Sequence, residues 1–466
     1  MSSIYNRSIK VLIIHVFSLA FGFISQILIA RLAGAEVYGN INYYLGIINL
    51  IVWIFNFGIA FKINSKNYHI FFFTINILYF ISVPIIFIIL FALNINLILV
   101  FLIIVTSYFW LISFLLNGYY INIKNQHKSK LHFEVVRTAI HLILFIIFMW
   151  LEIPGIESFI YSLLISYLYS TIILFVKPKQ FNVNLQLVIK NNLLLYFALL
   201  AELGSLQVIK VVSAHIIDAK YLGALSVAIL FRFVLVGFIQ PISVMLTPDI
   251  TECVNNRIKS ARILDTVSLI NILLISPLFL FLVTNASLIK TVLGESYNSF
   301  ESIFIIYLIG AFIESLTLIH QRYMLIANKV VSEIIANILF TIVTIVGAYI
   351  LKDYSYGIAI SISLGYIVKA FIRIIVIKID LKLSIKIKLF HFPLAFSHIL
   401  VAWLMYQIEM ENLNMISTIA LCALNILVLY IIDFIFITKF KLIEVENIIK
   451  RNSVSKIMGK FNYKVR

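Results

Sequence analysis

Arg232, Lys210, Glu202 and Glu314 are ionisable residues that lie well inside long apolar stretches of the chain. An arginine at the centre of a bilayer costs about 2.5 to 3.5 kcal/mol on insertion scales, so each such charge needs a physical explanation. A guanidinium offers phosphate oxygens a planar fork of donors, and a lysine ammonium offers them a point charge. The alternative is an internal ion pair, in which Glu202 or Glu314 neutralises Lys210 or Arg232 and fixes helix packing.

Arg31 is a further cationic candidate, at the end of the first apolar stretch. It either binds an anion or anchors the helix at the membrane interface, where its side chain extends to water. Cys253 and Cys422 are far apart, and the histidines of the apolar stretches are scattered without metal-ligand spacing. The sequence therefore predicts no metal site, no disulfide and no cofactor.

The composition indicates that lipid rather than water surrounds most of this chain. Of its 466 residues, 62% are hydrophobic and 12% are charged, and the mean hydropathy is +1.07. A water-soluble domain of this composition could not cover its surface with polar groups. We therefore expect an all-α polytopic membrane protein with about 14 transmembrane helices, since each spanning helix takes about 20 apolar residues. The apolar stretches of spanning length cover residues 10–32, 41–61, 70–93, 97–121, 132–151, 156–176, 191–217, 222–247, 264–284, 303–327, 333–351, 355–377, 388–408 and 412–438.

The charges between these stretches test the count independently. Lys and Arg concentrate in every second connection, and Asp and Glu concentrate in the others, as the positive-inside rule requires. Both termini are then predicted to be cytoplasmic, with a basic tail at 441–466 on the membrane surface. Because the rule accounts for the net charge of +16, that charge does not indicate a nucleic-acid partner.

The chain carries a weak internal repeat. LAGAEVYG at 32–39 is similar to IIDAKYLG at 216–223, and in this register Gln26 matches Lys210. Six predicted helices separate the copies, so both halves would have the same orientation, as in transporters built from two parallel repeats. The predicted division is an N-terminal lobe at 1–178, a C-terminal lobe at 179–385, an additional helix pair at 386–440 and the tail at 441–466.

Longer motifs resemble a known family. FGFISQILIARLAGAEVYG at 21–39, followed by a helix ending in FGIA at 57–60, resembles the opening of polysaccharide flippases of the multidrug/oligosaccharidyl-lipid/polysaccharide exporter superfamily. Further motifs resemble those of this family and follow in the same order over nearly the whole chain. They are most similar to the motifs of O-antigen and capsule repeat-unit flippases. These motifs are YLGALSVA at 221–228, LGESY at 293–297, MLIANK at 324–329 and YGIA at 356–359.

This resemblance implies transport by alternating access, without enzymatic chemistry. The implied substrate is an undecaprenyl-diphosphate-linked oligosaccharide, moved from the cytoplasmic to the outer leaflet of the bacterial inner membrane. Arg232, Lys210 and Arg31 would bind its diphosphate, and Glu202 and Glu314 would couple transport to protons or sodium, because a desolvated carboxylic acid can exchange a proton. Membrane lipids, a polysaccharide polymerase and chain-length proteins are the expected partners.

Two other function classes compete with this interpretation. A multidrug or cation exporter of the same superfamily would line its cavity with acidic rather than basic residues, so Arg232 and Lys210 favour the flippase. A membrane polysaccharide polymerase or ligase would carry a large outer loop. The connections predicted on the outer side are all short, which favours a transporter over such an enzyme.

Overall fold

The computed structural model describes residues 2–56, 67–122, 126–178 and 193–380, together with positions 63, 183, 399–402 and 407. The described residues form helices and no β-strand, which confirms the expected all-α class. The helices are α1 Ser2–Asn56, α2 Tyr68–Ala92, α3 Leu97–Asn122, α4 Gln126–Ser129, α5 Arg137–Trp150, α6 Gly155–Leu174, α7 Leu193–Ser213, α8 Ala219–Met245, α9 Thr247–Cys253, α10 Arg257–Thr284, α11 Ala286–Leu293, α12 Phe300–Leu316, α13 Leu318–Ile326, α14 Val330–Ile350 and α15 Gly357–Asp380. A π-helical segment, Lys130–Val136, joins α4 to α5, and a 3₁₀ turn, Glu295–Tyr297, lies between α11 and α12.

Eleven stretches of the described helices are long and apolar enough to cross a membrane. The first of them, Phe17–Asn56, covers most of two predicted spans, and each of the ten others coincides with one predicted span. The break expected at 94–96 separates α2 from α3, with Asn94 in a left-handed conformation at φ 57°. The protein is therefore a polytopic membrane protein, and the predicted spans at 388–408 and 412–438 fall almost wholly outside the described residues.

The described residues group into two compact units. The first comprises the described residues up to Phe233, together with Ser287–Gly310 and Asn328–Ile372. Within it, α6 packs on α3 and α5, while α7 packs on both α1 and α14. The division into two six-helix lobes, a helix pair and a tail stays a prediction.

The second unit comprises Val234–Ala286, Ala311–Ala327 and the described residues from Arg373 onward. Its apolar core draws on α9, α10, α13 and α15, which bury aliphatic side chains around one tyrosine. The buried members of this core are Ile250, Leu264, Val267, Ile319, Tyr323, Met324 and Ile377.

Gly34 divides α1 into two helices, because its φ of 77° and ψ of 165° are not helical. Only glycine adopts such a conformation without a Cβ penalty. The backbone N–H of Ala35, just beyond the break, donates to Ser296 Oγ at 3.2 Å. The hydroxyl of Tyr297 donates to the Ala30 carbonyl at 3.0 Å, so the 3₁₀ turn at Glu295–Tyr297 binds both sides of the break.

The two copies of the internal repeat lie against each other in the first unit. A Cβ atom added to Gly39 would collide with the carbonyl oxygen of Ala219, and one added to Gly223 would collide with the carbonyl oxygen of Ala35. The contact is reciprocal in the register of the repeat, in which residue 35 matches 219 and residue 39 matches 223. Small residues at four-residue spacing thus let two helix starts approach backbone to backbone.

We expect Gly39→Ala and Gly223→Ala each to lower the free energy of unfolding by at least about 1 to 3 kcal/mol, because a clash with a backbone oxygen cannot be relieved by side-chain rotation. Thermal unfolding of the detergent-purified protein measures this effect. Gly22→Ala and Gly237→Ala are matched controls, because a Cβ at either glycine has nothing within 4 Å. Equal stability of all four variants would contradict the close backbone contact.

Candidate functional site

Lys210 lies on α7 with only 8% of its side chain exposed. Its Nζ donates a hydrogen bond to Asn42 Oδ1 on α1 at 2.9 Å, and the Asn42 amide in turn donates to the Tyr38 carbonyl at 3.0 Å. The partner of this buried ammonium is thus a neutral amide rather than Glu202 or Glu314. An amide dipole orients the ammonium while leaving its positive charge uncompensated.

The residue that matches Lys210 in the repeat is hydrogen-bonded to Tyr38, which also contacts the Asn42–Lys210 pair. Gln26, on the first half of α1, accepts a hydrogen bond from the Tyr38 hydroxyl at 3.2 Å. Tyr38 therefore connects both repeat positions, through its carbonyl to the Asn42–Lys210 pair and through its hydroxyl to Gln26.

Arg232 lies half-buried on α8, over the face of an aromatic ring. Its guanidinium carbon is 5.4 Å from the ring centre of Tyr366 on α15, a distance at which a cation is attracted to an aromatic face. Tyr366 stacks on Phe340 of α14, with ring centres 4.7 Å apart, and its hydroxyl is 3.3 Å from that of Tyr307. Lys369 Nζ lies 5.6 Å from the Phe340 ring centre. Arg232 and Lys369 therefore share one aromatic cluster.

Lys369 and Arg373 were missed by the sequence reasoning, although both are almost fully buried at 3% and 0% exposure. They stand four residues apart on α15 and therefore lie on one side of that helix. Arg373 Nη1 donates to Thr317 Oγ1 at 3.2 Å, at the break between α12 and α13. The sequence does contain a signal that indicates them, namely two basic residues at helical spacing inside the predicted span 355–377.

The two predicted coupling carboxylates have different surroundings. Glu314, on α12, is 1% exposed, and its backbone carbonyl accepts a hydrogen bond from the Thr317 hydroxyl at 2.8 Å. Glu202 is half-buried on α7. A third carboxylate, Glu333 in the first turn of α14, was not singled out from the sequence, although it is 1% exposed and accepts from Asn337 Nδ2 at 3.2 Å.

Arg31 is exposed and lies one turn before the break at Gly34. Lys210 donates to Asn42 Oδ1, and Arg232 lies over the ring of Tyr366. Among the described residues, no group of three His, Cys, Asp or Glu side chains could hold a metal ion. Whether Arg31, Lys210 and Arg232 bind one substrate stays a prediction.

The helical arrangement is the fold of a class of membrane transporters. The lipid II flippase MurJ, in an inward closed conformation, matches with a TM-score of 0.66 and 14% identity over 93% of this chain and 100% of that chain. A multidrug resistance MATE family transporter of the MOP superfamily, in an inward-facing conformation, matches with a TM-score of 0.55 and 15% identity over 79% of this chain and 96% of that chain. No protein-family model and no curated protein sequence matches the chain. At these identities the likeness shows the fold alone.

We expect Lys210→Met to lower the free energy of unfolding by about 1 to 3 kcal/mol, because it leaves a buried acceptor of Asn42 without its donor. In the double variant Lys210→Met/Asn42→Leu most of this loss should be recovered, since replacing both members of a buried polar pair with apolar groups is nearly neutral. Chemical or thermal unfolding in detergent gives both values. Lys220→Met, at an exposed lysine on α8, is the control. If the double variant were as unstable as the single one, the pair would itself be needed for stability.

Proposed function

We propose that this protein is a flippase that moves an undecaprenyl-diphosphate-linked oligosaccharide repeat unit from the cytoplasmic to the outer leaflet of a bacterial inner membrane. The observation that carries the proposal is the buried Lys210 ammonium, hydrogen-bonded to the neutral amide of Asn42, inside the helical fold of a lipid II flippase. The product would supply surface polysaccharides such as O-antigen or capsule. A polysaccharide polymerase and chain-length proteins are the partners that would act on it.

Electrostatics explains why buried cations suit this cargo. A diphosphate cannot enter a hydrocarbon core without compensating charge, because the desolvation of an anion costs far more than one hydrogen bond returns. Arg232 and Lys210 would provide that charge within the membrane, with Arg31 at the outer end of the path. The polyprenyl chain would remain in the lipid, so only the polar head needs a protein-lined route.

Alternating access would complete the cycle without breaking a covalent bond. The protein would open to the cytoplasm, accept the diphosphate and sugars, and then open to the outside. Glu202 and Glu314 are the proposed sites for coupling this change to protons or sodium. With both termini in the cytoplasm, the basic connections would lie on the side where the lipid-linked substrate is made.

A multidrug or cation exporter is the second candidate, because the MATE family transporter shares the fold. The buried carboxylates of Glu314 and Glu333 would suit a cationic drug. The buried Lys210 and the half-buried Arg232 would repel it, and they favour the anionic cargo. An assay that compares prenyl diphosphate transport with drug efflux in the same cells separates the two functions.

We expect Arg232→Ala to reduce surface polysaccharide at least about tenfold in a strain whose own flippase is deleted, since a charge-assisted hydrogen bond to a buried anion is worth about 1.5 to 3 kcal/mol. Arg232→Lys should retain part of the activity, because it keeps the charge and loses the planar donor fork. Immunoblots of surface polysaccharide, normalised to the amount of inserted protein, give the readout. Arg257→Ala is the matched control, at an exposed arginine that begins α10. Normal polysaccharide in a well-inserted Arg232→Ala strain would refute the assigned role.

A further inference from the structure

Arg137 is a membrane-embedded arginine that the proposed mechanism does not yet use. It begins α5 directly after the π-helical segment Lys130–Val136, and its backbone N–H donates to the carbonyl of His132, five residues earlier. It lies seven residues into the apolar span Lys130–Trp150, or about 10 Å along the axis at 1.5 Å per residue. Single π-helical turns inside α-helices occur frequently at functional sites.

The guanidinium of Arg137 is held by aromatic rings. Its carbon lies 4.5 Å from the ring centre of Tyr167 on α6 and 5.5 Å from that of Phe133. Tyr167 is almost fully buried and stacks on Trp110 of α3, with ring centres 4.6 Å apart and planes 19° apart. Three helices thus fix the position of the guanidinium through rings, which attract a cation without neutralising it.

The hydrogen bonds of Arg137 leave donors available for a ligand. Nε donates to the Phe133 carbonyl at 2.7 Å, and Nη2 makes a long bond of 3.4 Å to the Thr138 hydroxyl. A guanidinium has five N–H donors, so these two bonds leave three without an acceptor in the described part of the chain. The carboxylate nearest in sequence, Glu134, forms its ion pair with Lys130 at 3.1 Å instead.

The chain segment that precedes Arg137 is basic, and two of its side chains contact tyrosines. Lys128 Nζ lies 5.2 Å from the ring centre of Tyr120, and His132 Nδ1 is within hydrogen-bond distance, 3.1 Å, of the Tyr169 hydroxyl. Between 126 and 137 the chain carries three Lys or Arg residues and one carboxylate, a formal charge of about +2 by simple counting. Such a patch attracts an anion, and its aromatic rings suit the apolar faces of sugars or prenyl groups.

We infer that Arg137, with Tyr167, Phe133 and Trp110 around it, forms a second anion-binding site that receives the diphosphate of a prenyl-linked substrate on the cytoplasmic side of the membrane. This inference rests on the proposed function and on the predicted topology, in which the connection before α5 is cytoplasmic. It adds an entry site on α3, α5 and α6, separate from the contacts of Arg232 and Lys210. The shared chemistry is a phosphate head group, which a prenyl diphosphate, free pyrophosphate or an anionic phospholipid could supply.

Binding of farnesyl diphosphate to the purified full-length protein tests the site. The chain has four tryptophans, so a Trp53→Phe/Trp150→Phe/Trp403→Phe background leaves Trp110 as the reporter beside Tyr167. We expect farnesyl diphosphate to change the Trp110 fluorescence, and Arg137→Gln to weaken the fitted affinity at least about tenfold, the equivalent of one charge-assisted hydrogen bond. Arg137→Lys should weaken it less, and Arg257→Gln, at an exposed arginine, should leave it unchanged.

The comparison ligands separate the possible sources of the phosphate. Inorganic pyrophosphate, farnesol and nanodiscs containing phosphatidylglycerol are measured in parallel with farnesyl diphosphate. Competition by phosphatidylglycerol at equal head-group concentration would overturn the assignment to a diphosphate. Equal affinity of the Arg137→Gln variant and the parent protein for farnesyl diphosphate would overturn the site and leave the proposed function standing. Absence of a Trp110 fluorescence change in both proteins would also overturn the site, while the Arg232→Ala assay tests the proposed function separately. If the unliganded Arg137→Gln protein has the same Trp110 spectrum as the parent, misfolding is excluded as the cause of lost binding. Arg137→Lys is the charge-retaining variant for this comparison.

Discussion

The cost of placing a charge inside a membrane-spanning helix governs the polar contacts of this protein. A cation in such a helix must be stabilised by other parts of the chain, because lipid offers no hydrogen-bond partner. Lys210 uses the Asn42 amide, and Arg137 uses the ring of Tyr167 together with the Phe133 carbonyl. The Asn42 amide and the Tyr167 ring belong to other helices than the cations that they contact, so each charge also fixes how its helix is rotated against its neighbours.

Close helix packing makes these contacts possible. Gly39 and Gly223 allow two helix starts to meet at their backbones, and a Cβ on Gly310 would lie 2.5 Å from the Cα of Ser363. Where helices approach so closely, short polar side chains are enclosed and must find their hydrogen-bond partners within the helix contact. Ser363 Oγ accordingly donates to the Ile306 carbonyl at 2.6 Å. Small residues therefore bring α12 and α15 together, and α15 also carries Tyr366 and Lys369 of the aromatic cluster.

The membrane-spanning helices could be predicted from the sequence because bilayer thickness fixes their length. The predicted span 97–121 corresponds to Leu97–Asn122, and 333–351 corresponds to Val330–Ile350. Hydropathy cannot give the rotation of a helix about its own axis, which decides whether a charge faces a ring, an amide or lipid. The hydrogen bond between Lys210 and Asn42 joins residues 168 positions apart, and no local pattern encodes it.

The candidate site residues could likewise be predicted from the sequence only in part. Arg232 could be recognised as an isolated charge near the middle of its predicted helix, and Lys210 as a charge between the middle and the end of its own. Arg137 stands only five residues inside the predicted span 132–151, where a charge is ordinarily an interfacial anchor. Its significance comes from the π-helical segment before it and from Tyr167, and neither has a signature in local composition.

Under the proposed function, the neutral partners of these cations have a consequence for transport. A cation paired with a carboxylate in a low-dielectric interior would have to give up that ion pair before it could bind a phosphate, and breaking a buried pair costs about 3 to 5 kcal/mol. Lys210 and Arg137 would avoid that step, because the groups that hold them in the described part of the chain are an amide, a carbonyl and aromatic rings. The same groups can hold the cation again after the ligand leaves. Binding at such a site would therefore be easily reversed, as the proposed carrier function requires: a cargo that binds too strongly would not be released.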